Sequence, residues 1–259
     1  MVQAQPRTGP TITWEPLPND FQLPDDPVEN IQQPLLAAAL TDALGAAQQI
    51  RPEMLIGSNF GLVVRMDGEI VVKAPDWFYV PRVNPYPPEL VRRSYTPHLE
   101  GDPVAVVMEF LSAADNGELS IRTTQPYGKL YIYEQILRIP TYVIYDPAVA
   151  KLEVRCLEAG HYVSQPPNAQ GRFWIPPLNL FLGVWPGERL AQTLNWLRWW
   201  DADSNLLLWS SEQAETECQR AEAEHQRAET ERQRAETERQ RADRLAELLR
   251  AQGIDPDGL

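Results

Sequence analysis

Asp76, Glu109 and Lys129 are the residues of this chain whose types and surroundings point most directly to chemistry. Asp76 follows Pro75 at the head of Trp77-Phe78-Tyr79-Val80, and Glu109 lies inside Val104-Ala105-Val106-Val107-Met108-Glu109-Phe110-Leu111. An apolar run of that length reads as a buried strand. A carboxylate within it is costly unless it is paired or holds a cation. Lys129 is one of only three lysines, against 20 arginines. Two carboxylates and a lysine suffice for metal-assisted phosphodiester hydrolysis. The carboxylates hold a hard divalent cation, and the lysine positions water or neutralises charge developing on the phosphate. Each residue alone has a plainer explanation: Asp76 as a strand-start cap, Lys129 as a helix residue whose stem covers apolar surface. The three together, with Glu109 in mid-strand, favour a site. No other constellation competes, because there is no Gly-rich phosphate loop and no CxxC pair, and the histidines are only His98, His161 and His225.

These residues need elements to hold them. Residues 1–28 are rich in proline and polar residues and read as an extended arm. Leu35, Leu36, Leu40 and Leu44 then recur at helical spacing within Glu29 to Gln49, a helix beginning near Asn30 or Pro34. Short strands are expected at Met54–Ile56, Gly61–Arg65 and Glu69–Val72, with Asp67-Gly68 as a hairpin turn. The strand that starts at Asp76 runs to Pro81, residues 84–100 form a loop, and the Glu109 strand follows. Residues 113–124 read as a surface loop. A helix from Pro126 to Leu137 carries Lys129, and strands are expected at Tyr142–Tyr145, Leu152–Leu157 and His161–Val163. This pattern makes an α/β core.

Six of the eight tryptophans fall in residues 171–210. Trp196–Trp200 and Leu206–Trp209 flank a polar Asp201–Asn205 turn and read as a hairpin. Core packing is the favoured account of these aromatics; a stacking platform for single-stranded bases is the other. From Ala214 the chain repeats every seven residues, and Ala228–Arg234 is identical to Ala235–Arg241. Neither choice of second seam position supplies an apolar stripe, so a coiled coil is not indicated. Opposite charges four residues apart, such as Arg220 with Glu224 and Arg239 with Asp243, instead support a solvent-exposed helix over 211–250, at ~0.2–0.5 kcal/mol per pair.

The 259 residues allow one sizeable domain plus an appendage. The net charge is -13; residues 211–259 hold 13 acids and 8 arginines, or -5, which leaves the body at -8. Such a body argues against strong non-specific grip on nucleic acid. A local basic groove stays open, with Arg92, Arg93 and Arg122 as contributors. No apolar stretch approaches the ~20 residues needed to span a bilayer. The first residues carry no basic start followed by an apolar core, so a signal peptide is not expected. Cys156 and Cys218 suggest no disulfide framework. A cytoplasmic setting, with no membrane contact, is the expectation.

Ala74-Pro75-Asp76, Met108-Glu109-Phe110-Leu111-Ser112, Lys129 to Glu134 and Pro140-Thr141-Tyr142-Val143-Ile144-Tyr145-Asp146-Pro147 resemble the Uma-type restriction endonucleases of the PD-(D/E)XK nuclease superfamily. The resemblance covers roughly residues 28–185. It implies a restriction-endonuclease-like mixed sheet flanked by helices over 29–185, preceded by the 1–28 arm. A Trp-rich hairpin extension over 186–210, a charged helical tail over 211–250 and a 251–259 terminus would follow. It implies a DNA endonuclease in which Asp76 and Glu109 bind Mg²⁺ or Mn²⁺. The superfamily lysine usually stands two residues after the second acid, where this chain has Leu111; Lys129 on the following helix takes that role. Glu29 is the candidate for an additional acid from the first helix. Asn59, Ser112 and Tyr133 are candidates to support the ligands from behind. The alternative is a nuclease-fold protein that no longer cuts and works as a binding module through its charged tail. A homodimer, and a partner protein on the 211–250 helix, are open.

Overall fold

The computed structural model describes residues 9–18, 20–21, 31–111, 122–124 and 126–251. Glu29, Ser112 and most of the expected 113–124 loop lie outside the described residues. The chain divides into two compact units, Met1–Trp209 and Ser210–Leu259.

At the centre of the first unit is a six-stranded mixed sheet. It is built from β2 (Leu55–Gly57), β5 (Trp77–Val80), β6 (Val106–Phe110), β7 (Thr141–Asp146), β8 (Lys151–Glu158) and β9 (His161–Ser164), neighbours in that order. Only the β6–β7 pair is parallel, and its crossover carries the helical segment that follows residue 128. The inner strands are buried on both faces, which explains why they read as apolar runs, interrupted in β6 only by Glu109. Side chains alternate between two apolar clusters, as the two-residue strand period requires. Trp77, Tyr79, Val106, Met108, Phe110, Val143 and Tyr145 pack toward α1 (Gln32–Ala46) and a three-stranded sheet of β10 (Phe173–Ile175), β11 (Leu180–Arg189) and β12 (Gln192–Trp200). Phe78, Val80, Val107, Tyr142 and Ile144 pack on the other face, against Ile132, Tyr133 and a small sheet of β1 (Ile12–Thr13), β3 (Leu62–Met66) and β4 (Glu69–Lys73). The layers are those of the restriction-endonuclease-like α/β fold.

Local chemistry accounts for several joints. Asp67 and Gly68 both have positive φ (50° and 84°), which matches the turn twist a two-residue hairpin needs between β3 and β4. Pro34 falls in the first turn of α1, where a missing N–H costs little. At its other end Gln48 adopts a left-handed conformation and the Gln49 N–H reaches the Leu44 carbonyl, closing the helix. Gly57 on β2 lies under the Phe78 ring: a Cβ there would stand 2.3 Å from Phe78 Cε1. Gly57→Ala therefore forces a fully buried ring out of place and is expected to cost about 1–3 kcal/mol in urea unfolding. An unchanged midpoint would show that the ring has room to move.

Two expected elements differ. Instead of one helix over Pro126–Leu137, a short α2 (Lys129–Tyr131) passes into a π-helical turn (Ile132–Ile136). Gly128 is still extended, which delays the start, and the Leu137 N–H bonds the Ile132 carbonyl five residues back. The Trp-rich hairpin also has other arms. β12 pairs along its length with β11, whereas Leu206 only bridges Trp200 before the chain turns into the next helix. The β11–β12 turn is Leu190-Ala191, with positive φ at both (54° and 57°), and lacks the Asn or Gly that announces such turns. Trp196, Trp199, Trp200 and Trp209 are buried, so most of the aromatic cluster is core.

In the second unit α3 runs from Ser210 to Ala251 with no buried residue. Arg239 and Asp243 approach to 3.9 Å, while Gln219, Gln233 and Gln240 donate to the glutamates four residues earlier. Among the described residues no helix is long and apolar enough to cross a membrane.

Candidate functional site

Strand register brings the two acids together. β5 and β6 are antiparallel, with Phe78 opposite Val107 and Trp77 opposite Met108. The next step along both strands sets Asp76 across from Glu109, and opposed residues project from the same face. That is the face covered by α2 and the π-helical turn, since Phe78 and Val107 share it. The ladder itself stops at Trp77. Asp76 Oδ2 accepts the Phe110 N–H at 2.5 Å, so a side chain takes the place of the missing backbone acceptor.

Lys129 and Tyr133 reach the same carboxylate from above. Lys129 Nζ is 3.1 Å from Glu109 Oε2, and the Tyr133 hydroxyl donates to Glu109 Oε1 at 2.7 Å. Glu109 is 0% exposed, whereas the Lys129 side chain is 26% exposed and keeps an outlet to solvent. Burial is the strongest influence on Glu109 and pushes its carboxyl up to about 7; Lys129 opposes this, Asp76 adds to it, and the Tyr133 hydrogen bond opposes it. Burial and the charge of Glu109 hold the Tyr133 hydroxyl well above its usual range, so it stays a donor.

Asn59 meets the site through its backbone. It is exposed, adopts φ 48°, and its N–H donates to the Pro75 carbonyl at 3.0 Å, which anchors the residue before Asp76. Asp76, Glu109, Lys129 and Tyr133 thus converge, Asn59 borders them, and Glu29 and Ser112 lie outside the described residues.

A family model described as "Uma2: Putative restriction endonuclease" matches residues 21–193, about two thirds of the 259 residues. The chain belongs to the Uma2 family. The match spans all the converging residues and is consistent with the PD-(D/E)XK nuclease superfamily, whose members typically use divalent metals. Searches of curated proteins and of solved structures returned no match.

The Uma2 site suits a hard cation in its donor set. Two carboxylates face each other, one of them buried against its own charge, and a dication would relieve that repulsion. Among the described residues no group of three or more His, Cys, Asp or Glu gathers for a metal. A two-carboxylate set is what Mg²⁺ accepts when waters and substrate phosphate complete its shell.

One residue of this surround escaped the sequence analysis. Gln33 on α1 is buried, and its Nε2 donates to the Phe110 carbonyl at 2.7 Å. Its signal was present: Gln33 shares the apolar face of Leu36, Ala37, Leu40, Ala43 and Leu44, where a polar residue needs a partner.

Proposed function

We propose that this Uma2 chain is a divalent-metal-dependent endonuclease that hydrolyses DNA phosphodiester bonds. The observation that supports it is the convergence of Lys129 and Tyr133 on a fully buried Glu109 set beside Asp76. A lysine and a phenol hold its two oxygens while a second carboxylate faces it, an arrangement that a divalent cation would complete. Asp76 and Glu109 would hold Mg²⁺ or Mn²⁺. When bound, the cation supplies Lewis acidity at a phosphoryl oxygen and lowers the pKa of a water. The chain's own part is orientation and charge. The Phe110 N–H fixes Asp76, and the Tyr133 hydroxyl fixes Glu109, so neither carboxylate has to reorganise. Lys129, partly open to solvent, offers a compact positive charge to a phosphate oxygen as negative charge grows there.

Nicking of supercoiled plasmid in Mg²⁺ and in Mn²⁺ tests this. The wild type is expected to cut, Glu109→Ala to be inactive, and Lys129→Ala to be slower by roughly a hundredfold or more. Equal nicking by all three proteins would remove these residues from the chemistry.

A further inference from the structure

The way β6 is held after β5 ends assigns a task to α1. In a strand, the N–H and C=O of one residue point to the same side. At Phe110 that side faces the β5 edge, because the Leu111 N–H points the other way, to the Tyr145 carbonyl of β7. The β5 ladder stops at Trp77, so no strand backbone is left to pair with Phe110 there. Two side chains close the gap. Asp76 Oδ2 takes the Phe110 N–H at 2.5 Å, and Gln33 Nε2 donates to the Phe110 carbonyl at 2.7 Å. The Phe110 residue, next in sequence to Glu109, is clamped at both polar groups, once by Asp76 itself and once by α1.

We infer that Gln33 is a positioning residue for the metal site. By tying the Phe110 carbonyl to α1 it fixes where β6 stands relative to Asp76, and so the separation of the two carboxylates that must share a cation. The inference rests on the metal-dependent function proposed above. In this role Gln33 acts through the strand, by its bond to the Phe110 carbonyl. A plain packing role predicts something different: loss of stability without selective loss of metal affinity.

The test is Mn²⁺ binding to the full chain, by titration calorimetry and by electron paramagnetic resonance of free Mn²⁺, at a temperature where melting curves show each variant folded. Gln33→Met keeps the volume but removes the donor, and Gln33→Leu is a second donor-free variant should the first fold poorly. Gln33→His retains an N–H at a similar reach. Thr41→Val is the control: Thr41 Oγ1 accepts the Trp77 Nε1–H at 3.0 Å, another bond from α1 to β5 that does not involve Phe110. The expected result is Mn²⁺ binding weakened about 10–100-fold by the donor-free variants. Gln33→His should recover most of the affinity, and Thr41→Val should bind like wild type. Wild-type affinity in the donor-free variants overturns the inference. So does an equal loss in Thr41→Val, or a histidine variant no better than methionine. Absence of Mn²⁺ binding by the wild type is a separate outcome, which removes the metal site and the inference with it.

Discussion

Glu109→Gln is expected to abolish the proposed plasmid nicking and to leave the metal-free protein at least as stable as wild type. The amide keeps the shape and can still accept from the Tyr133 hydroxyl, but it lacks the charge a cation needs. In the wild type, burial raises the Glu109 carboxyl to about 7. A carboxyl whose folded-state pKa stands above its unfolded value costs stability wherever it is ionised in both states, as at pH 8. Lys129 loses its ion pair with Glu109 in the variant, yet its side chain is 26% exposed and can turn to water. Thermal melts at pH 8 with chelator, alongside nicking assays in Mn²⁺, check both halves. A variant that melts several degrees below wild type would show that Glu109 holds the fold together, and that its placement needs no catalytic explanation. Stability gained by removing a buried functional charge is the expected trade at an active site.

Trp199→Ala is expected to be the most damaging single core change outside the site, at about 3–5 kcal/mol. Trp199 is 0% exposed, packs against Trp77 at 6.0 Å between ring centroids, and donates its Nε1–H to the Leu40 carbonyl of α1 at 3.1 Å. It therefore joins three layers: the β10–β12 sheet, α1, and the central sheet through β5. Denaturant unfolding followed by circular dichroism gives the magnitude. A loss below about 1 kcal/mol would mean that the β10–β12 sheet is only loosely attached to the central sheet, because a well-packed tryptophan cannot be deleted so cheaply.

The strands bearing the acids were legible in sequence because buried strands write themselves as apolar runs. Glu109 stood out against such a run, and Asp67-Gly68 marked a true hairpin turn. The misread elements had local signals that misled. Leu190-Ala191 makes a tight turn without turn residues, so the sequence does not announce the long β11–β12 hairpin, whereas the polar Asp201–Asn205 turn points to a pairing with Leu206–Trp209 that the structure reduces to a bridge. The π-helical turn at Ile132–Ile136 has the same apolar spacing as an ordinary helix over one turn, and only its hydrogen bonds distinguish it. The charged helix, whose stabilising pairs are local, could be foreseen down to its lack of an apolar seam.

Residue type and spacing alone determined that Asp76, Glu109 and Lys129 were the chemistry worth considering, together with most of the sheet-and-helix order that carries them. Those are properties of short segments: apolar runs, turns and helical periods act between near neighbours in the chain. Only the tertiary structure decided that Asp76 faces Glu109, that Lys129 and Tyr133 meet at its two oxygens, and that Gln33 closes the gap left where β5 ends. Each of these depends on strand register and on where a ladder stops. Register is set by packing across the whole sheet, and no segment of the sequence states it by itself.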